Sequence, residues 1–273
     1  MPRFRALVLS SLPVVLVLLA FSTLAQVPPN ERLQITSPLA RPAVDPPDPA
    51  ATAENLEARG DELRQQKLYL DALDYYRVAD SKHPNSAVLH NKMGISEILL
   101  QRWPEAKKDF EHALKYDRAY SDAYNNLGVV YYVARKYSKS IDKYQHAIAL
   151  RPGAASYYSN MGAAYFSKKD FQRSIVAYSK ALELDPDVFE RSSHGGVAAQ
   201  MAKPEDRARY DFEVAKLYAK MGVADRSLQY LRRAMEEGYK GIDDVYKDSE
   251  FAGVRKDPRF TELMGARPPA IPE

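Results

Sequence analysis

The chain repeats itself every 34 residues, and no other feature of the sequence constrains its fold so tightly. Laid on itself at that spacing it gives four gap-free copies, 53–86, 87–120, 121–154 and 155–188. The eighth column reads Gly60, Gly94, Gly128, Gly162, and the twenty-seventh reads Ala79, Ala113, Ala147, Ala181. The twenty-fourth reads Tyr76, Phe110, Tyr144, Tyr178, and the thirty-second reads Pro84, Arg118, Pro152, Pro186. Each copy holds two amphipathic segments, such as "SDAYNNLGVVYYVAR" and "YSKSIDKYQHAIAL", with a turn between them. Small residues let the two helices approach closely, while Tyr131 and Tyr144 fill the space around that contact. The proline cannot continue the second helix and sets up the turn into the next copy. One helix pair cannot bury both of its faces, so neighbouring copies must stack.

The pattern resembles the tetratricopeptide repeat family, in the form of a bacterial exported protein. Tyr124, Leu127, Gly128, Tyr131, Ser140, Tyr144 and Pro152 fall on its signature, as do Tyr158, Met161, Gly162, Tyr165, Ser174, Tyr178 and Pro186. The second copy departs with Glu97 and Arg118 where tyrosine and proline are expected. The first has Arg59 in the leucine column, which suits an end unit exposed to water. The resemblance implies an all-α fold, a right-handed α-solenoid of stacked helix-turn-helix repeats. A degenerate fifth repeat is read over 208–241, where the signature columns hold Val214, Ala215, Tyr218, Ser227, Leu231 and Ala234. It follows an insertion at 189–207. Residues 242–265 are read as capping helices and 266–273 as a loose tail.

The start of the chain has a different character. "MPRFR", then the apolar "ALVLSSLPVVLVLLAF", then "STLAQ" make a signal peptide over 1–25, cleaved after Ala25. The competing reading is an uncleaved anchor, since 6–25 approaches the length that spans a bilayer. Either way the remainder is expected outside the cytoplasm, periplasmic or secreted. Residues 26–52 are rich in proline and poor in aromatics, the composition of a disordered linker. Removing 1–25 takes away Arg3 and Arg5 and no acid, so the formal charge falls from +3 to +1. Opposite charges are interspersed along the rest, with none of the clustered excess a nucleic-acid partner calls for.

Five columns on the first helix of each unit face the groove in the resembled family. Carried over, they give Asn91, Ile95, Ile98 and Leu99 in the second copy, Asn125, Val129 and Tyr132 in the third, and Ser159 and Phe166 in the fourth. An apolar strip bordered by amides and hydroxyls suits a peptide or protein segment. The groove columns of these copies carry no lysine or arginine, so a clamp for an acidic C-terminus is not expected. Asn126 and Asn160 are read as structural.

Catalysis is not expected. There is no cysteine, no phosphate-cradling glycine loop and no metal-ligand spacing among the five histidines, so neither metal nor cofactor is implied. "SSHGG" in the insertion offers hydroxyls and His194, but no acid is placed to orient the imidazole. His112 and His146 share an outward column and are read as solvated. The expected function is therefore a non-catalytic scaffold that binds a protein or peptide in its groove, within a bacterial cell envelope. Two alternatives stand beside it: a self-associating or membrane-tethered structural subunit, and an enzyme built around 189–207. Membrane contact is expected only through an uncleaved N-terminal segment.

Overall fold

The computed structural model describes residues 44–192 and 204–268. Among the described residues there are helices and turns but no strand. Ten helices pair off in chain order: α1 (Ala53–Gln65) with α2 (Tyr69–Lys82), α3 (Ala87–Leu99) with α4 (Trp103–Tyr116), and α5 (Ser121–Val133) with α6 (Tyr137–Leu150). Then α7 (Ala155–Ser167) pairs with α8 (Phe171–Leu184). A short α9 (Val188–Ser192) precedes the fifth pair, α10 (Pro204–Lys220) and α11 (Ala224–Glu236). The second helix of a pair also packs on the first helix of the next, which turns the pairs into a stack.

Packing within each of the first four pairs rests on one contact. A Cβ placed on Gly128 would lie 2.5 Å from the Tyr144 ring, and Gly60, Gly94 and Gly162 meet Tyr76, Phe110 and Tyr178 equally closely. These rings are fully buried. The gap between helices is narrow enough that Ser140 Oγ donates to the Gly128 carbonyl at 2.8 Å, and Ser174 Oγ to that of Gly162 at 2.9 Å. The fifth pair solves the same contact differently. Ala215 replaces the glycine and Leu231 the ring, both fully buried, and Ser227 Oγ is left without a partner.

First helices touch across units, α3 with α5 and α5 with α7, whereas the second helices approach one another less. The stack therefore curves with α1, α3, α5, α7 and α10 on its inner side.

Both ends of the stack are covered. Residues 44–51 lie on the outward face of α2: Tyr75 donates to the Asp45 carbonyl at 3.0 Å, Lys82 to the Pro49 carbonyl at 2.6 Å, and Val44 packs on the local core. In the second unit the corresponding face turns toward the preceding helix, with Leu73, Arg77 and Asp80 lining one cleft with Asp109. The last residues of the proline-rich stretch thus substitute for a missing neighbour instead of hanging free. At the far end come three 3-10 turns, Ile242–Tyr246, Ser249–Ala252 and Val254–Lys256, and α12 (Pro258–Ala266). They bury Val245, Phe251, Val254, Phe260, Leu263 and Met264 in the core shared with α10 and α11. Asp257 caps α12 by accepting from Arg259 N, with Pro258 at its first position.

Candidate inner-face site

The inner face is built on a cross-repeat hydrogen-bond rule. The side chain in the sixth column of one unit donates to the fifth column of the unit before it. Lys92 reaches Glu57 at 2.5 Å, Asn126 reaches Asn91 at 2.9 Å, and Asn160 reaches Asn125 at 2.9 Å. Asn125 Nδ2 also donates to Asn126 Oδ1 at 3.1 Å, and Asn91 Nδ2 to the Tyr120 hydroxyl at 3.3 Å. Four amides from three helices form one continuous ladder. Each carboxamide has two donors and an oxygen with two lone pairs, so the ladder orients these groups without exhausting them. Lys92 also bonds Asp61 at 2.5 Å, and with both carboxylates beside it its ammonium titrates above the ordinary lysine range although burial opposes this. The acidic first unit is thereby joined to the amide spine.

The nine groove residues separate into two groups. Leu99 is 46% exposed, and Ile95, Ile98, Asn125 and Val129 are half-buried, so the inner face of the second and third units presents an apolar strip beside the amides. Asn91 and Ser159 are buried, as are Tyr132 at 4% and Phe166 at 1% exposure. Tyr132 shares a hydrogen bond of 2.9 Å with Ser167 across the third and fourth units. Phe166 stacks edge-on against Phe171 and Tyr210. Over the fourth unit the cover is α10, which lies against α7: its Tyr210 meets Phe166, and its Asp206 pairs with Lys169. The inner face is closed over the fourth unit and open over the second and third.

Asn126 and Asn160 are rungs of the ladder. Their signal in the sequence is the run of asparagines at the fifth and sixth columns, legible only if partners are sought 35 residues apart instead of 34.

On the outer side, His112 is half-buried and meets His90 edge-on, ring centroids 5.1 Å apart, instead of standing in solvent. His90 lies 3.7 Å from Asp80 and 3.5 Å from Asp109, above the nearly buried Glu97 in a cleft of about 350 Å³. Burial pushes the Glu97 carboxyl up despite the charges of Arg102 and Arg77. A larger hollow of about 930 Å³ lies along α7 and α8, lined by Tyr158, Met161, Tyr165 and the exposed Val176. No group of three histidine or carboxylate side chains among the described residues is arranged to hold a metal ion.

At the seam, Phe189 of α9 inserts among Tyr178, Tyr210 and Tyr218, and the Tyr218 hydroxyl donates to the Pro186 carbonyl at 2.9 Å. The described start of the insertion thus joins the fourth and fifth units. His194 lies outside the described residues.

Family models described as tetratricopeptide repeat match residues 91–155 and 155–188. No curated protein matches the chain. Among solved structures, one described as the functional characterisation of Pseudomonas aeruginosa pilF is similar to it, with 18% identity over 78% of this chain and 92% of that one, at a TM-score of 0.53. MamA (41 to end) from Desulfovibrio magneticus RS-1 is 18% identical over 71% and 97%, at 0.49. The first repeat domain of Spaghetti (RPAP3), bound to HSP90 peptide SRMEEVD, is 19% identical over 49% and 98%, at 0.38.

Proposed function

The chain is a tetratricopeptide repeat protein, and from that premise we propose that it is a non-catalytic scaffold that holds a segment of another protein on the inner face of its second and third units. The carrying observation is the amide ladder beside the half-exposed apolar strip. Fixed carboxamides bond the backbone of a bound segment, while Ile95, Ile98, Leu99 and Val129 take its apolar side chains. The floor is already ordered by its own hydrogen bonds, so binding need not freeze these side chains, and that lowers its entropic cost. The proposed setting of this scaffold is a bacterial envelope, a reading supported by the basic, apolar, small-residue order of residues 1–25. Assembly by stacking end to end is opposed by the covers at both ends, residues 44–51 and 242–266. The test is equilibrium binding of a captured segment to the parent and to Leu99→Glu and Asn125→Ala variants that melt like it. The proposal expects at least a tenfold loss from each, since a lost hydrogen bond or a charge in an apolar contact costs on the order of 1.5 kcal/mol or more. Undiminished binding by both variants contradicts it.

A further inference from the structure

Each pair turns from its first helix into its second at the same three columns, and these five turns line one edge of the stack. Their fifteen residues include six cations, Lys67, Arg102, Arg135, Lys136, Lys168 and Lys169, and a single acid, Asp170. All six are exposed. The sequence scatters them at intervals of about 34 residues; the fold sets them in a row.

Local chemistry does not account for this row. The middle column of every turn is left-handed: φ is 63° at Lys67, 60° at Gln101, 56° at Arg135 and 64° at Lys169, and 76° at Gly222 in the fifth turn. Glycine takes that conformation without the Cβ clash that the four longer residues bear. The next column is the N-cap of the second helix, where an acid or hydroxyl is favoured and a cation opposes the helix dipole. Asp170 shows the favoured solution, accepting from Arg173 N. Arg102 and Lys136 occupy the same place without a side-chain cap. Long cations thus stand where glycine and aspartate would be more stable, in turn after turn. Strain repeated in this way points to function.

Partial neutralisation comes from within. Lys169 pairs with Asp206, Arg102 lies 3.6 Å from Glu97, and Lys168 donates to Ser138 at 3.1 Å. Lys67, Arg135 and Lys136 have no such partner among the described residues. The fifth turn continues the edge with Lys220 and the apolar Met221 and Val223, 44% and 36% exposed. Neighbouring turns are on the order of 10 Å apart, the spacing of packed helices.

We propose that this edge docks on an anionic phospholipid surface. Cations spread along a line, with exposed apolar side chains at one end of it, complement a continuous plane of negative headgroups over an acyl boundary. No described helix is long and apolar enough to cross a membrane. The site is separate from the inner face.

The experiment compares the full chain on vesicles of phosphatidylcholine with vesicles of phosphatidylcholine and phosphatidylglycerol. Partition onto the anionic vesicles is expected to exceed that onto neutral ones and to fall as salt is added. Insertion of the N-terminus, where Arg3 and Arg5 also favour anionic headgroups, would be unmoved by substitutions in the turns. A Lys67→Gly, Arg135→Gly, Lys169→Gly variant is expected to lose roughly a hundredfold of the anionic partition, about fivefold for each charge at the surface. Its melting temperature should hold or rise, because glycine relieves the left-handed turns, so misfolding cannot mimic the result. Equal partition onto both vesicles, or a variant that partitions like the parent, overturns the proposal. So does binding to polyglutamate but not to anionic vesicles, which would make the partner an acidic protein.

Discussion

Column eight and column twenty-four behave as one choice rather than two. Four units pair glycine with an aromatic ring, which a Cβ would approach to 2.5–2.6 Å, and the fifth pairs Ala215 with Leu231. In the third unit, Gly128→Ala should destabilise by roughly 1–3 kcal/mol through overpacking, even though alanine is the better helix former. Adding Tyr144→Leu recreates the fifth unit's pair. The double variant should therefore lose less than the sum of the two single losses, as read by urea midpoints in a double-mutant cycle. Strict additivity would show the two columns to be independent. Asp211 carries a second prediction. It is 2% exposed, in a column held elsewhere by Leu56, His90, Tyr124 and Tyr158, with Arg233 at 3.4 Å. Burial, only partly offset by Arg233, pushes its carboxyl up to about 7. The folded protein therefore holds this proton more tightly than the unfolded chain, whose aspartates titrate near pH 4. The stability it contributes is full below about pH 4 and is lost as the pH rises to about 7, by a few kcal/mol at most. Asp211→Asn should flatten that part of the stability–pH curve and raise the melting temperature at pH 8. An unchanged slope would mean that Asp211 is ionised across the whole window.

Single helices show what a periodic reading can and cannot reach. The paired helices were legible because a 3.6-residue pattern inside a 34-residue period leaves little choice of element. Departures from the period were legible only as departures. Nothing in "SPLARPAVDPPDPA" says that residues 44–51 will lie along α2, because the contact uses backbone carbonyls, which any sequence supplies. Nor could the groove columns reveal that α10 covers the fourth unit. Phe166 and Tyr132 have the composition of a binding surface, and only the placement of Tyr210 and Asp206 makes them part of a junction. α9 belongs to the same junction, so Phe189→Ala should cost roughly 3–5 kcal/mol as a large cavity in an aromatic cluster. Proteolysis and urea unfolding would read that loss. A change under about 1 kcal/mol would mean that α9 rests on the fourth and fifth units without joining them.

Across the whole molecule, apolar burial is uneven. One cluster runs from Tyr132 through the seam to Met264, while two smaller clusters join the first unit to the second and the second to the third, with the charged cleft around His90 and Glu97 beside them. Stability in a repeat stack is approximately a sum of unit and nearest-neighbour terms, so opening should start at the amino-terminal end. Native-state hydrogen exchange should find the amides of α1 and α2 less protected than those of α7, α8 and α10. The reverse order would contradict this reading of the core. The same additive design leaves the inner face of the second and third units free to take a partner without remaking the junctions around it. One measurement tests that claim most directly: a photo-crosslinking amino acid placed at Leu99 on the inner face, and separately at Val176, which is 66% exposed on α8. The partner segment should crosslink from position 99 and not from 176; crosslinking from 176 alone would place the binding surface on the outside of the stack.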